Sequence, residues 1–373
     1  MDVSRGPRVL LLSAVGTRVN PYLGLLHDGL AAAGADVRVS GELAAESWRP
    51  DVVHLHWLDR YDLPRPLRFE GVRPGLLRRL LVRGGNAPPV YALRRRARLA
   101  RLFRELAAFQ RAGGVVACTV HNLDPHEKAS SAEQWGSARL LRLADVVHVH
   151  DERTAAELAA RYGRSAGVAV IPHGHYIGSY PNALSRAEAR DRLGLPADAF
   201  VYACIGLLRP YKGLEELIPA FRSLPGAHLR LLLAGKPGTP EYGAALAALA
   251  AGDARIRLDP QFVPPEEIQA YYNAADICVL PYREITTSGA ALLAFSFGLP
   301  IIAPAIGAFP NLVTPARGVL YDPAQPAGLT VALMVAQQHD WQAARPEILA
   351  WVSRFDWREI GARLLAAYAS ADP

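Results

Sequence analysis

The sequence predicts an α/β protein with two domains, each built on a parallel β-sheet. The chain has 373 residues, which at about 150 residues per domain corresponds to two domains. Hydrophobic residues make up 51% of it and charged residues 20%. A large core can therefore form, and a largely disordered chain is excluded. Short apolar runs alternate with amphipathic helical segments, a pattern typical of parallel sheets covered by helices on both faces.

Eleven apolar runs are predicted as strands, in two series separated by the Gly-, Pro- and Asn-containing segment Pro172–Ser185. The first series is Arg8–Ser13, Ala35–Ser40, Asp51–His56, Val115–Val120, Asp145–His150 and Val168–Ile171. The second is Phe200–Ile205, His228–Ala234, Arg255–Leu258, Asp276–Leu280 and Pro300–Ala303. We expect Rossmann-like domains over 1–175 and 186–340 that face each other across a ligand cleft. The last helices, over 341–373, are expected to pack back on the N-terminal domain.

No segment is typical of a cleaved leader or a membrane span. The apolar run Val9–Val15 has no small-residue cleavage site after it and is interpreted as the first strand. The longest uncharged stretch, Ile285–Ala316, is interrupted by glycines and prolines and predicts a buried helix, then a buried strand and loops. Cys118, Cys204 and Cys278 lie singly in apolar runs, which indicates reduced core thiols in a cytoplasmic protein.

Positive charge is concentrated in one region of the N-terminal half. Thirteen arginines and two glutamates between Arg65 and Arg111 give this region +11 of a chain total of +6, which leaves −5 elsewhere. Around 94–109, apolar residues recur at helical spacing opposite arginines. The apolar residues are Leu99, Leu102, Phe103, Leu106 and Phe109, and the arginines are Arg94, Arg95, Arg98, Arg101 and Arg104.

Two interpretations of this arginine helix stay open. It is a solvated face, or it is a basic surface for an anionic membrane or a phosphorylated acceptor. Nucleic acid is not expected as a partner, because few aromatic residues interleave with the arginines and no nucleic-acid-binding signature is present.

The strongest local signal for a ligand site is the segment Gly206–Gly213 (GLLRPYKG), between an apolar strand and a helix. Cations in such a loop can bind a diphosphate at the carboxyl edge of a parallel sheet, and Arg209 and Lys212 supply them. Lys236 follows the next strand at the same edge. Two of only three lysines in the chain therefore lie at strand ends of one half.

A third loop, Pro281–Gly289 (PYREITTSG), precedes an apolar helix. Thr287, Ser288 and Gly289 can cap that helix and expose N–H groups to a phosphate. Glu284 is the one carboxylate of this loop and can accept hydrogen bonds from sugar hydroxyls.

The order GLLRPYKG, LLLAGKPG, YYNAADICVLPY and TSGAALLAFSFGLPIIAP resembles the C-terminal half of GT-B-fold nucleotide-sugar glycosyltransferases, in particular bacterial mannosyl- and glucosyltransferases. The N-terminal half agrees through Gly16-Thr17, DVVHLHW, TVHN and VIPHGH. The resemblance implies that Gly16 leaves room for the donor phosphate and the acceptor, with Thr17 also at the donor site, and that His121 contacts the transferred sugar.

The same resemblance implies that Lys212 and Arg209 bind the diphosphate, although the usual arginine lies two residues earlier, at Leu207. Glu284 and the turn Thr287–Gly289 match the segment that holds the sugar and the diphosphate. Many members carry paired glutamates eight residues apart, whereas this chain has Ile285 and Leu293 at those positions. Recognition of the ribose must differ here, and a retaining or inverting outcome stays open.

Other candidates come from histidines and from the loop after TVHN. The pairs His54/His56, His148/His150 and His173/His175 could each face one side of a strand, but no cysteine or acidic cluster completes a metal site, so no metal is expected. No Asp-x-Asp motif is present to bind a bridging cation. Asp124, His126 and Glu127 are candidate acceptor-side groups that could deprotonate a hydroxyl, or they are local turn residues.

We therefore expect a metal-independent hexosyltransferase without a cofactor, which uses a nucleotide sugar and a glycan or lipid-linked acceptor in polysaccharide biosynthesis. GDP-mannose is the first expected donor and UDP-glucose the second. The expected location is cytoplasmic, at the inner face of the membrane. The alternatives are a GT-B-fold epimerase, a phosphorylase, for which the chain is short, and a non-catalytic nucleotide-sugar- or glycan-binding subunit.

Overall fold

The computed structural model describes residues 6–13, 21–43, 48–58, 88–123 and 131–371. The chain divides into two compact units, which we call unit 1 (Met1–Pro172 with Trp357–Pro373) and unit 2 (His173–Asp356). The expected final helices are split between them, since the penultimate helix belongs to unit 2 and the last to unit 1. Within the described ranges, no helix has both the length and the apolar character to cross a membrane.

Unit 1 is built on a six-stranded, all-parallel sheet with strand order β2-β1-β3-β4-β5-β6. The strands are β1 (Arg8–Leu12), β2 (Asp36–Ser40), β3 (Val52–Leu55), β4 (Val115–Thr119), β5 (Val146–Val149) and β6 (Val168–Val170). The helices are α1 (Pro21–Ala32), α2 (Pro88–Arg111), α3 (Ser131–Leu143), α4 (Glu152–Tyr162) and, from the chain end, α13 (Trp357–Ala369).

Unit 2 has a second all-parallel six-stranded sheet, in the order β12-β11-β10-β7-β8-β9. Its strands are β7 (Phe200–Ile205), β8 (Leu229–Ala234), β9 (Ile256–Asp259), β10 (Ile277–Val279), β11 (Ile301–Pro304) and β12 (Gly318–Tyr321). Its helices are α5 (Arg186–Arg192), α6 (Leu214–Arg222), α7 (Pro240–Ala250), α8 (Ile268–Ala274), α9 (Gly289–Ser296), α10 (Phe309–Leu312), α11 (Gly328–Ala336) and α12 (Trp341–Val352).

The predicted α/β class with two parallel sheets is confirmed, and each of the eleven predicted runs overlaps a strand. The uncharged stretch Ile285–Ala316 contains the expected buried helix and strand, α9 and β11. Sequence reasoning missed β12, a four-residue edge strand that pairs with β11 and is only half-buried over most of its length. Such a short run carries little hydrophobic signal.

The strands are apolar because both faces of each sheet are covered. In β1, Leu10 and Leu12 pack into one cluster with α2, whereas Val9 and Leu11 pack into the other with α1 and α13. Cys118, Cys204 and Cys278 are unbonded and buried in the two cores, as predicted.

Helices α1 and α13 cross at two glycines. A Cβ atom on Gly361 would lie 2.4 Å from the carbonyl oxygen of Gly29, and one on Gly29 would lie 2.2 Å from the carbonyl oxygen of Trp357. Both neighbours are backbone atoms, which cannot rotate away. The absence of side chains at these two positions thus permits the close approach that seals the α1/α13 face of unit 1.

We predict that Gly361→Ala destabilises the protein by about 1–3 kcal/mol, because the added methyl group overpacks a backbone contact. The free energy of unfolding in urea measures this. Gly24→Ala in α1 is the matched control, since a Cβ there meets no atom within 4 Å. That control should leave stability unchanged or raise it slightly through helix propensity. Equal stability of the Gly361→Ala protein and the wild type would contradict the prediction.

Candidate functional site

In unit 2, the loops after β7 and β8 continue the parallel pairing of their strands. The amide of Leu208 donates to the carbonyl of Lys236 at 3.0 Å, and the amide of Gly238 donates to the carbonyl of Leu208 at 2.8 Å. A Cβ on Gly235 would lie 1.7 Å from the carbonyl oxygen of Gly206, so only glycine allows this approach. The pairing fixes the backbone that leads into Arg209.

Arg209 begins a single 3₁₀ turn, Pro210–Lys212, which ends at Gly213 with φ +69°. A Cβ on Gly213 would lie 2.1 Å from the carbonyl oxygen of Pro281, in the loop after β10. The loops after β7, β8 and β10 therefore converge on one turn at the carboxyl edge of the sheet. This turn carries both cations that the sequence assigns to diphosphate binding.

The Lys212 side chain is buried, with 6% of its surface exposed. Its Nζ lies over the Tyr282 ring, 5.6 Å from the ring centroid. Burial lowers the pKa of the ammonium group, and the positive charge of Arg209 lowers it further. Among the described residues, no carboxylate forms an ion pair with Lys212. An anionic ligand is what would stabilise the charged form.

Side chains from other elements hold the turn Pro210–Lys212 in place. The Arg283 guanidinium pairs with Glu216 at 2.6 Å and donates to the carbonyl of Pro210 at 2.9 Å. The Tyr242 hydroxyl donates to Glu215 at 2.9 Å and contacts the carbonyl of Arg209 at 3.3 Å. Sequence reasoning missed Arg283 and Tyr242, because these contacts join residues 27 to 73 positions apart.

The loop before α9 has the predicted capping geometry. Ser288 is the N-cap, and its buried hydroxyl accepts from the amide of Ala291 at 3.1 Å. By helix geometry, the amides of Gly289 and Ala290 have no acceptor within the helix. A Cβ on Gly289 would lie 3.2 Å from the Tyr176 hydroxyl, so this helix terminus lies against the segment that begins unit 2.

The remaining unit 2 candidates differ in exposure. Lys236 and Glu284 are exposed, whereas Arg209 and Thr287 are half-buried. Leu293 stands where many of the glycosyltransferases that this sequence resembles carry the second of two paired glutamates. It is a half-buried residue of α9.

In unit 1, histidines gather at the carboxyl edge of the sheet. His54 and His148 lie within β3 and β5, whereas His56, His121 and His150 follow the ends of β3, β4 and β5. Within the described ranges, no group of three or more His, Cys, Asp and Glu side chains could hold a metal ion.

His54 and His148 belong to a chain of hydrogen bonds. The donors and acceptors in this chain are fixed by the group at one of its ends. His148 Nε2 lies 2.9 Å from the carbonyl oxygen of Ile171, which can only accept, so a neutral His148 bears its proton on Nε2. Thr119 then donates to His148 Nδ1 at 3.0 Å and accepts from His54 Nε2 at 2.7 Å. The Tyr368 hydroxyl of α13 completes the chain by donating to His54 Nδ1 at 2.6 Å. Burial lowers the pKa of His54 well below its usual value, in agreement with a neutral ring. We therefore assign His54 and His148 to structure.

His121 differs from these two histidines, because its side chain is half-buried. The Tyr22 ring meets it edge-on, with centroids 4.9 Å apart. It is the residue predicted to contact the transferred sugar. The other unit 1 candidates, Gly16, Thr17, Asp124 and Glu127, with His126, lie outside the described residues.

Helix α2 confirms the predicted apolar face, since Leu99, Leu102, Phe103 and Leu106 are buried. The placement of Arg95 on the opposite, exposed face is wrong, because Arg95 is only 7% exposed. Arg95 precedes Leu99, Leu102 and Leu106 by four, seven and eleven residues and so shares their face. Arg94 and Arg98 are half-buried and Arg101 is exposed, as are Arg96 and Arg104.

Comparison with known proteins identifies relatives over part or nearly all of the chain. Residues 199–337 match the family described as "Glycosyl transferases group 1". A GDP-mannose:glycolipid 4-beta-D-mannosyltransferase of Xanthomonas campestris pv. campestris is 27% identical over 98% of this chain and 93% of its own length. A D-inositol 3-phosphate glycosyltransferase of Corynebacterium efficiens is 32% identical over 67% of this chain and 62% of its own.

Solved structures share the fold over nearly the whole chain. The HepE protein of Anabaena in complex with UDP and glucose superposes with a TM-score of 0.68 at 19% identity, covering 98% of this chain and all of the other. Sucrose-phosphate synthase from Thermosynechococcus elongatus superposes with a TM-score of 0.65 at 21% identity, covering 98% of both chains. The predicted GT-B fold and the resemblance to its nucleotide-sugar glycosyltransferases are confirmed.

We predict that Lys212→Met weakens binding of a nucleoside diphosphate at least about tenfold, while the free energy of unfolding without ligand stays equal or rises. The physical reason is that a buried ammonium without a carboxylate partner among the described residues destabilises the empty protein and would be stabilised by a bound anion. Titration calorimetry with GDP and UDP, and urea unfolding, measure the two quantities. Lys236→Met removes an exposed lysine and is the matched control for stability. A Lys212→Met protein that is less stable and binds normally would show a structural lysine instead.

Proposed function

We propose that this chain, a nucleotide-sugar glycosyltransferase of the GT-B fold, transfers a hexose to a hydroxyl group of a glycan or glycolipid acceptor. GDP-mannose is the first proposed donor and UDP-glucose the second. Lys212 on the turn after β7 carries the proposal, because it is buried, forms no ion pair with a carboxylate among the described residues, and would be stabilised in its charged form by an anionic ligand. The relative named GDP-mannose:glycolipid 4-beta-D-mannosyltransferase, which aligns over nearly the full chain, supports the choice of mannose.

In unit 2, we assign the diphosphate to Arg209 and Lys212, with Lys236 as an exposed third cation. The amides at the start of α9, with Thr287, Ser288 and Gly289, would hold the remaining phosphate oxygens. These groups neutralise the negative charge that develops on the departing nucleoside diphosphate, so no metal ion is required in the proposed mechanism. Glu284, which is exposed, would accept hydrogen bonds from the sugar hydroxyls.

In unit 1, His121 would contact the transferred sugar, and its half-buried ring is accessible to a ligand. Gly16 is proposed to leave room for the donor phosphate and the acceptor, Thr17 to bind the donor, and Asp124 or Glu127 to take the proton of the acceptor hydroxyl. Removing this proton makes the oxygen a better nucleophile for the anomeric carbon.

Recognition of the ribose is proposed to depend on groups other than a carboxylate at position 293. Leu293 cannot accept a hydrogen bond from a hydroxyl, and it lies on a helix whose residues are almost all apolar. A backbone carbonyl or a polar group of a neighbouring loop must serve the ribose instead.

We also propose that the enzyme works in the cytoplasm, at the inner face of the membrane, in polysaccharide biosynthesis. The exposed side of α2 combines the cations Arg96, Arg101 and Arg104 with Leu93, which is 69% exposed. Cations attract anionic lipid headgroups, and an exposed leucine can enter the boundary of the acyl chains. A lipid-linked acceptor would be reached from this surface.

Acceptor-dependent release of nucleotide tests the activity. With GDP-mannose or UDP-glucose and a bacterial lipid extract as acceptor, the wild type should release GDP or UDP in EDTA. Arg209→Ala and Lys212→Ala should each lower the rate about 10²–10³-fold, because each removes charge stabilisation of the leaving group. Arg230→Ala, a change in β8 outside the proposed site, is the matched control.

Other outcomes of this assay contradict the proposal in distinct ways. A new sugar nucleotide formed without acceptor would indicate an epimerase. Binding of the donor without acceptor-dependent release would indicate a non-catalytic subunit, and loss of activity in EDTA that Mg²⁺ restores would overturn metal independence.

Sedimentation with vesicles of anionic phosphatidylglycerol tests the membrane surface. Binding should fall as salt rises from 0.05 to 0.5 M, because the Debye length contracts from about 14 to about 4 Å and the attraction between charges is screened. The Arg96→Ala/Arg101→Ala/Arg104→Ala protein should lose about 3 kcal/mol of binding, roughly 1 kcal/mol per cation. Arg153→Ala/Arg161→Ala on α4 is the control within the same unit. If binding changes neither with salt nor with the triple substitution, the exposed side of α2 is an ordinary solvated face.

A further inference from the structure

The ring of His121 is held on two sides by consecutive residues that follow β3. Its Nε2 lies 3.2 Å from Nδ1 of His56. Its plane stacks on the Trp57 indole, with centroids 4.4 Å apart and an angle of 11° between the rings. One neighbour thus fixes a ring nitrogen, while the other fixes the ring plane.

Trp57 adopts a backbone conformation that its side chain disfavours. Its φ is +49°, and among the described residues it is the only non-glycine residue with a positive φ. The left-handed region is a genuine outlier for a bulky side chain and persists only where the surroundings impose it. The conformation places the indole against His121, and Tyr22 meets the Trp57 ring edge-on at 5.8 Å.

His56 has the character of a fixed partner. It is 2% exposed, and its ring stacks on the neutral His54 at 4.4 Å, which ties it to the deeper hydrogen-bonded chain. Burial, and next the adjacent imidazoles, lower the pKa of His56 well below its usual value. A neutral His56 has one donor and one acceptor nitrogen, so its Nδ1 can either donate to His121 Nε2 or accept from it, and in both cases the bond holds the His121 ring.

We propose that His56 and Trp57 are positioning residues for His121: His56 holds its Nε2 through a hydrogen bond and Trp57 holds the plane of its ring. This inference rests on the proposed function only for its catalytic consequence, since the placement of the ring is a property of the unliganded protein. Neither residue contacts substrate in this proposal. Both act through His121, whose misplacement by about 1 Å can lower a rate on the order of 10²-fold.

Paired variants separate the two contributions. Trp57→Phe keeps a ring for stacking and should retain activity within about threefold. Trp57→Gly suits the left-handed backbone but removes the ring, and kcat should fall at least tenfold with the Kd for the donor nucleotide unchanged. His56→Asn keeps a donor and an acceptor and should retain more activity than His56→Leu, which has neither.

A direct readout of the His121 ring makes the test independent of activity. In nitrogen-15 NMR spectra of histidine-labelled protein without ligand, the His121 ring signals, assigned with His121→Ala, should shift in Trp57→Gly and His56→Leu. Trp48→Leu is the matched control: this tryptophan of unit 1 is buried, its Nε1 donates to Asp36, and it makes no ring contact with a histidine among the described residues. It should lower stability without moving the His121 signals.

The outcomes distinguish this inference from the proposed function. Unchanged His121 signals in both Trp57→Gly and His56→Leu would overturn the inference, whatever the activity. Shifted signals together with full activity of His121→Ala would support positioning and overturn the proposed contact of His121 with the sugar.

Discussion

The polar groups of both candidate sites depend on one constraint, the common polarity of parallel strands. In each unit all strands end at the same edge of the sheet, so residues far apart in the chain reach one edge while the strands themselves stay apolar. The price is that imidazoles and an ammonium group lie in or beside a hydrophobic core. Hydrogen bonds satisfy His54 and His148 there, whereas burial lowers the pKa of Lys212, with which no carboxylate among the described residues forms an ion pair.

The two edges meet this constraint by different means. Unit 1 uses hydrogen-bonded imidazoles, and the chain of bonds from Tyr368 to Ile171 has one self-consistent direction because a carbonyl ends it. Unit 2 uses glycines: Gly206, Gly213 and Gly235 all have positive φ, and they let three loops approach until backbone almost touches backbone. The edge in unit 1 is organised by side-chain hydrogen bonds, and the edge in unit 2 by glycines, which have no side chain.

Periodicity and the residues at strand ends predicted the two sheets, the parallel orientation of their strands and the turn around Lys212, since these depend on local patterns. The pairings that organise the sites are not local. His54 meets Tyr368 across 314 residues and His121 meets His56 across 65, and no spacing in the sequence indicates either. Arg95 is a different kind of error, because its helical spacing to Leu99 and Leu102 already placed it on the apolar face. The backbone of Trp57 could not be predicted, because tertiary contacts impose it against its own preference.

The return of the chain to unit 1 affects how the protein is made. Unit 2 is one continuous segment, His173–Asp356, and all its strands precede α13 in the chain. The core of unit 1 cannot be completed before α13 is synthesised, because α13 supplies the Gly29–Gly361 crossing and the Tyr368 hydroxyl. Until then its α1 face and the His54 imidazole lack the contacts that α13 supplies. A chain without α13 would thus lack the closing element of the core of unit 1.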